Sequence, residues 1–407
     1  MKRLVVLFSL FSIASFAQSP WPSENWSTAA PLTSVMNSSG LLELSGLHWN
    51  PVTNRLYVVH GDGRLRVLQL NTATNTFTQI GSRIISGGPE GVTQTDYSAD
   101  QFYTMDENTY LIKQYSNLPN FSSVTLTASW NLLSAPSPME DTGNTGPEGI
   151  TFVPDGHLAN AGFVSSVTGQ PYTSTKGAGG LFFISHQDGG YIWVFDLNPN
   201  VSNDFAYVGK YKTSRNESCD LAFDRSTGLL YILHNIGANY LEVTDLTLAT
   251  APGSEPTFHT VKEYFLSNPT DGNTNIEGFA IMPKCDSAVT GSAFLCRDVE
   301  SDESAAIKMD AIRWFNPYEA DGVCEPLKTQ DFDANQLSVY PNPGSDQIQF
   351  SGISGDFDVK ITDVLGKTVL RTTLHSNSLD VSGLVKGMYL INIASEGKSS
   401  AIKWMKR

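Results

Sequence analysis

The chain has 407 residues, 40% hydrophobic and 16% charged, enough for a large core and for two domains. Its 34 glycines and 20 prolines, with no long run of apolar residues at helical spacing, argue against a helical protein and predict short strands joined by turns. The formal net charge is −15; residues 337–407 carry eight Lys/Arg against six Asp/Glu, so the acidity lies in the preceding part, which argues against nucleic acid or anionic membrane as a partner.

In chain order, residues 1–17 read as a signal peptide. Lys2 and Arg3 form its charged start, LVVLFSLFSIASF its apolar segment, and Ser15-Phe16-Ala17 its small-x-small cleavage site. No later stretch is long and apolar enough to span a bilayer, so no transmembrane segment is expected and the chain from Gln18 is exported.

The stretch 18–328 repeats itself. Five units open at Ser45, Glu90, Glu148, Cys219 and Glu277, spaced by 45, 58, 71 and 58 residues. Three openings share an Asn/Gly- or Gly/Pro-rich lead into Glu-Gly: GGPEG (87–91), GNTGPEG (143–149) and GNTNIEG (272–278). Each unit reads as strand, Asp/Pro/Ser/Gly turn, strand, polar turn, strand. A fourth strand follows in four units, at 77–82, 124–132, 205–211 and 258–265. The fifth lacks one after 306–315, and WSTAAPLTSV (26–35) is placed to supply it. These lengths predict an all-β chain with a five-bladed β-propeller, six-bladed if a degenerate blade occupies the insertion 156–178. An open β-sandwich is the competing architecture.

The SGL, EGI and EGF strand openings followed by Asp/Pro-rich turns resemble the SdiA-regulated and esterase-like phytase propellers over residues 40–320. That resemblance implies a propeller, and a neighbourhood of metal-binding proteins and hydrolases. A phytase-like site also implies a dense Lys/Arg cluster; here Arg66, Lys113, Lys210 and Lys212 are scattered.

In a propeller the inner strand starts at the face to which the second strand returns. The Glu-Gly phrases therefore share one mouth of the central channel with the turns His60-Gly61-Asp62, Asp106-Glu107-Asn108, His186-Gln187-Asp188, His234-Asn235 and Arg297-Asp298. Converging carboxylates repel unless they are paired or bind a cation. Glu90, Glu148, Asp271, Asn273, Asn275 and Glu277 are the candidate calcium ligands, four of them at alternate positions of DGNTNIE (271–277). The alternative is structural: Glu accepts neighbouring backbone N–H groups, and Gly lets backbones approach. His60, Asp62, His186, Asp188 and Arg297 are the candidate catalytic residues, with a polar-turn or salt-bridge role as the alternative. No G-x-S-x-G, H-E-x-x-H or P-loop occurs, so an enzyme here would use a metal-activated water. The expected function is binding of a small molecule or glycan at the channel mouth, with calcium; the alternative is metal-dependent hydrolysis of an ester, phosphoester or lactone.

Four cysteines and no CxxC predict disulfides in an exported chain. The expected pairs are Cys285–Cys324 and Cys219–Cys296.

Polar 329–336 reads as a linker, and 337–407 as a small β-sandwich of about seven strands. VYPNP (339–343), DVLGK (363–367), LVKGMYLINI (384–393) and the basic end Lys403, Lys406 and Arg407 resemble the type A C-terminal sorting domain of the type IX secretion system of Bacteroidetes. That implies type IX machinery as a partner, and passage through the periplasm to the outer-membrane surface or the medium.

Overall fold

The computed structural model describes residues 19–36, 43–117, 121–249, 254–285, 291–319, 321–322, 338–353, 355–363, 368–395 and 398–407. The expected signal peptide 1–17, the linker 329–336, Cys324 and the end of the DVLGK turn lie outside them. The chain divides into two compact units, 1–324 and 325–407. Among the described residues no helix is long and apolar enough to cross a membrane.

Among the described residues the larger unit is built on β-structure, with five sheets, four of four strands and one of five. Their inner strands are Leu44–Asn50, Pro89–Thr93, Pro147–Pro154, Asp220–Asp224 and Ile276–Ile281. Each sheet is an antiparallel meander running outward from its inner strand. Tight turns make the returns. In Asp224-Arg225-Ser226-Thr227-Gly228, Asp224 Oδ1 accepts from Ser226 N–H at 2.8 Å, and Gly228 takes the left-handed conformation.

The chain start completes two sheets. Ala30–Pro31 pairs antiparallel with Ile312–Phe315, giving the fifth sheet its fourth strand. Ser19–Pro20 pairs in parallel with the outer strand of the fourth sheet, an addition that nothing in the sequence announced.

The inner strands touch in order. Leu44–Asn50 meets Pro89–Thr93, then come Pro147–Pro154, Asp220–Asp224 and Ile276–Ile281, and the last returns to the first. The core lies between neighbouring sheets, because each strand alternates its side chains between two flanking sheets. Tyr57 and Val67 meet Phe102 and Tyr115 between the first and second sheets. Leu56 and Leu68 meet Phe294 and Ile312 between the first and fifth.

Two sequence expectations fail locally. The insertion 156–178 holds no blade: it contains the helix Asp155–Ala161, closed by left-handed Gly162, and one isolated bridge, Val164 to Pro171. The expected strand 306–315 is strand only over Ile312–Phe315. Ser304 Oγ accepts from Ile307 N–H and starts a helical turn, Ala305–Lys308, in its place.

The smaller unit has a three-stranded and a four-stranded sheet sharing one apolar core that includes Ile348, Val359, Ile391 and Trp404. Its YPNP segment is held by the final strand. Trp404 Nε1 donates to Pro341 O at 2.8 Å, and Asn342 Nδ2 to Lys403 O at 2.7 Å. Lys406 is buried and pairs with Asp346 at 3.2 Å.

Candidate functional site

The rim of the larger unit is built by a shared register. Leu44 faces His60, Pro89 faces Asp106, Pro147 faces His186, and Ile276 faces Arg297. In the fourth sheet Cys219 N–H bonds Leu233 O, one residue before His234. Inner-strand starts and second-strand ends therefore share one face, as the repeat predicts. In four sheets the inner strand bulges at this point, across Ser45, Glu90, Glu148 and Glu277. A bulge re-aims a side chain.

The glycines after the bulges explain how five strands converge. A methyl added to Gly46 would sit 2.7 Å from Gly91 Cα, one on Gly91 2.8 Å from Gly149 Cα, and one on Gly278 2.8 Å from Ser45 O. Only glycine permits that approach. In the fourth sheet Asp220 holds the equivalent place. A methyl on Gly149 would lie 2.5 Å from both its Cα and its Oδ1. The Asp220 carboxyl accepts from Leu221 N–H and Phe279 N–H, each at 2.8 Å, and from Leu47 N–H. It thus meets the inner strands of the first, third, fourth and fifth sheets. Burial holds its pKa well above the ordinary carboxylate range.

Next to this floor sit two sets of ionisable groups. The second-strand ends are buried and mostly paired inside their own sheets. Asp106 meets Lys113 Nζ at 2.5 Å. His234 Nε2 lies 3.1 Å from Glu242 Oε2. Burial opposes charge on Glu242, but bonds from His234, Thr260 Oγ1 and Ser214 N–H hold it down at about 2. Arg297 donates to the carbonyls of Asp310, Asp271, Asn273 and Ile307, and meets Asp310 Oδ2 at 3.3 Å. It is a structural clamp, and its carboxylate is Asp310 rather than its neighbour Asp298.

The bulge glutamates are placed otherwise. Glu148 is 7% exposed. Burial first, then Glu90, Glu277, Glu107 and Glu217, push it well above the ordinary range. Burial pushes Glu90 up to about 7 against a bond from Ser45, with Glu107, Glu43 and Asp106 adding to it. Burial lifts Glu277 to about 8, helped by Asp298, Glu90 and Glu217 and opposed by Asn235. The charges acting most strongly on these three are all carboxylates, and two of the interactions, Glu277 on Glu148 and Glu90 on Glu277, run between sheets that are not neighbours. Asp298 is half-satisfied: Asn273 Nδ2 donates to Oδ2 at 3.2 Å, while Oδ1 is buried with no partner.

The structure thus divides the expected calcium set. Glu90, Glu148 and Glu277 lie at the inner-strand bulges. Asp271, Asn273 and Asn275 form a self-contained loop: Asn275 N–H donates to Asn273 Oδ1, and Asn273 N–H to Glu303 Oε1. Among the described residues no three His, Cys, Asp or Glu side chains are grouped so as to hold one metal ion. The expected catalytic pairs are also divided. His60 and His186 are buried, while Asp62 and Asp188 are exposed on the turns. His186 packs against Tyr110 and Trp193, and burial lowers it to about 4. The scattered bases have local partners: Arg66 donates to Met36 O, and Lys210 stands over the Tyr191 ring.

Cys219 and Cys296 are free thiols, which corrects the expected second disulfide. They flank opposite sides of the inner strand Ile276–Ile281: Cys219 Sγ contacts Leu233 O and Ile276 O, and Cys296 Sγ contacts Leu44 O. Cys285 is disulfide-bonded, and its expected partner Cys324 lies outside the described residues.

Asp220 and Glu217 escaped the sequence reading. Asp220 was marked by one signal, an aspartate where the other four units carry Gly46, Gly91, Gly149 and Gly278.

Comparison with known proteins identifies the smaller unit. Residues 338–407 match the secretion system C-terminal sorting domain. A type IX tail of this kind marks a secreted or cell-surface protein of Bacteroidetes, handled by the type IX machinery. Among solved structures the chain is similar to PorZ, an essential surface component of the type IX secretion system of Porphyromonas gingivalis, at 12% identity and TM-score 0.30. That match covers 90% of this chain and 60% of PorZ. It is also similar to a chain of the nidogen/laminin complex, at 12% identity and TM-score 0.33, covering 67% of this chain and 83% of that one. Neither likeness carries a functional argument at that distance. No curated protein matches the chain.

Proposed function

We propose that this is a type IX-exported, five-bladed β-propeller that binds a positively charged ligand at the Glu90/Glu148/Glu277 mouth of its channel. The unbroken circuit of inner-strand contacts supports five closed blades, with Ala30–Pro31 fastening the fifth. The match of 338–407 supports export, with residues 1–17 as the signal peptide and the tail serving outer-membrane passage. A propeller of the SdiA-regulated or phytase kind agrees with the opening phrases of the units, on sequence resemblance alone.

One observation carries the binding reading. Glu148 is 7% exposed, and the charges acting on it are those of other carboxyl groups, Glu90, Glu277, Glu107 and Glu217. Burial without compensation works against folding, so such a group points to a partner outside the chain. Thermal unfolding of the exported chain in a panel of metal and organic cations at fixed ionic strength tests this. Binding at the mouth predicts that at least one cation raises Tm in the native protein, and does not in the variant Glu90→Gln/Glu148→Gln/Glu277→Gln. A panel without effect on either protein overturns it.

A further inference from the structure

We infer that the Tyr97 ring is a lid that seals His48 inside the larger unit, and that Arg225, reaching over from the fourth sheet, is the clasp that holds it shut. The device lies where the inner strands finish, at the opposite end from the Glu-Gly rim, and is independent of the binding reading.

The inner strands finish at Asn50, Thr93, Pro154, Asp224 and Ile281. Arg225 follows the fourth of them, and its guanidinium leaves its own sheet. Nη2 donates to Gln94 O at 2.7 Å and Nη1 to Thr95 O at 3.2 Å. The same group stands over the Tyr97 ring, 3.8 Å from its centre. Gln94, Thr95 and Tyr97 belong to the turn after the second inner strand. Phe152, on the third inner strand, lies 5.6 Å from that guanidinium. One side chain therefore spans three sheets. Both of these acceptors are neutral carbonyls, a weaker hold than an Arg–carboxylate fork, and so one that can be released.

The backbone of the turn is pinned separately. Asn50 Nδ2, at the end of the first inner strand, donates to Tyr97 O at 2.9 Å and to Gln94 Oε1 at 2.7 Å. Arg225 thus governs the Tyr97 ring rather than the turn. The His48 ring lies 5.7 Å from the Tyr97 ring and 6.1 Å from Tyr57, and its Nε2 is buried without a partner. Burial first, then the Arg225 charge, lowers His48 to about 3, so the imidazole is neutral. Lid and clasp stand on sheets that the third separates, so a change in the spacing of the second and fourth sheets uncovers His48.

Carbethoxylation of the exported chain by diethyl pyrocarbonate at pH 7, followed histidine by histidine by peptide mass spectrometry, tests the inference. His259 and His375, with side chains 50% and 76% exposed, set the open rate; buried His60 and His234 report on the far end. In the native chain His48 reacts slowly beside His259. In Arg225→Ala its rate rises about tenfold or more, with His60 and His234 unchanged. Arg225→Lys, which gives up the fork and the flat stack, carries the same expectation if Arg225→Ala does not fold. A native His48 as fast as His259, or an unchanged rate in the variant, overturns the inference. An equal rise at His48, His60 and His234 is general loosening and overturns it too.

Discussion

Two sets of buried or half-buried ionisable residues share one rim and are treated in opposite ways. Asp106, His234 and Arg297 end second strands, and each closes on a partner: Lys113 and Glu242 in the same sheet, and Asp310 just before the third strand of the fifth sheet. Glu90, Glu148 and Glu277 begin inner strands, and their strongest electrostatic neighbours are other carboxylates. Both sets are polar, acidic in part and adjacent to turns. Only the second leaves its charge uncompensated, and so only the second asks for something from outside the chain. Burial alone does not mark a functional residue; burial without a partner does.

The comparison breaks most visibly where a paired group loses its partner. Lys113→Met leaves Asp106 buried beside a thioether, with an expected loss of about 3–5 kcal/mol in denaturant unfolding. A loss under about 1 kcal/mol would place Asp106 with the uncompensated set.

Asp220 is satisfied by backbone rather than by a base, and stands between the two sets. Asp220→Ala strips the acceptor from Phe279 N–H and Leu221 N–H, for an expected loss of about 2–3 kcal/mol. Unchanged stability would remove Asp220 from the floor of the mouth.

The pH profile separates the sets by sign. Glu90 and Glu277 have folded-state values near 7 and 8 against an unfolded 4.5, so the folded chain holds protons that the unfolded chain releases first. Stability therefore falls as pH rises from about 4.5 to about 8, by at most about 1.4 kcal/mol per pH unit for each group. Glu90→Gln/Glu277→Gln flattens that slope. Glu242 runs the other way: its depressed value means a contribution present above about pH 4.5 and lost as pH falls toward 2. Urea midpoints across pH for the native chain and the double variant check both directions.

Much of this was legible in the sequence. The repeated Glu-Gly phrases gave the unit starts, and the strand period placed His60, Asp106, His186, His234 and Arg297 on the same face. The fastening strand at 30–31 was legible as a missing fourth strand. Side-chain direction was not. Nothing in His60-Gly61-Asp62 or Arg297-Asp298 says that the first residue turns into its own sheet, because that depends on partners such as Asp310, distant along the strand order or in a turn. DGNTNIE resembles a ligand loop by its alternating oxygens, yet Arg297 and Glu303 consume its first part. The insertion 156–178 left a six-bladed alternative open by its length alone, since its residues carry no strand period.

The central claim is that Glu148 is retained for a ligand at a cost to the free fold. Unfolding of Glu148→Gln beside the native chain, without ligand, at pH 8 and at pH 5, tests it most directly. The account predicts that the variant is the more stable by about 1 kcal/mol or more at pH 8 and that the gap narrows toward pH 5, as the carboxyl of the unfolded chain begins to take up its proton. A variant less stable than the native chain at both pH values would contradict it, and would make Glu148 a structural residue like Asp106.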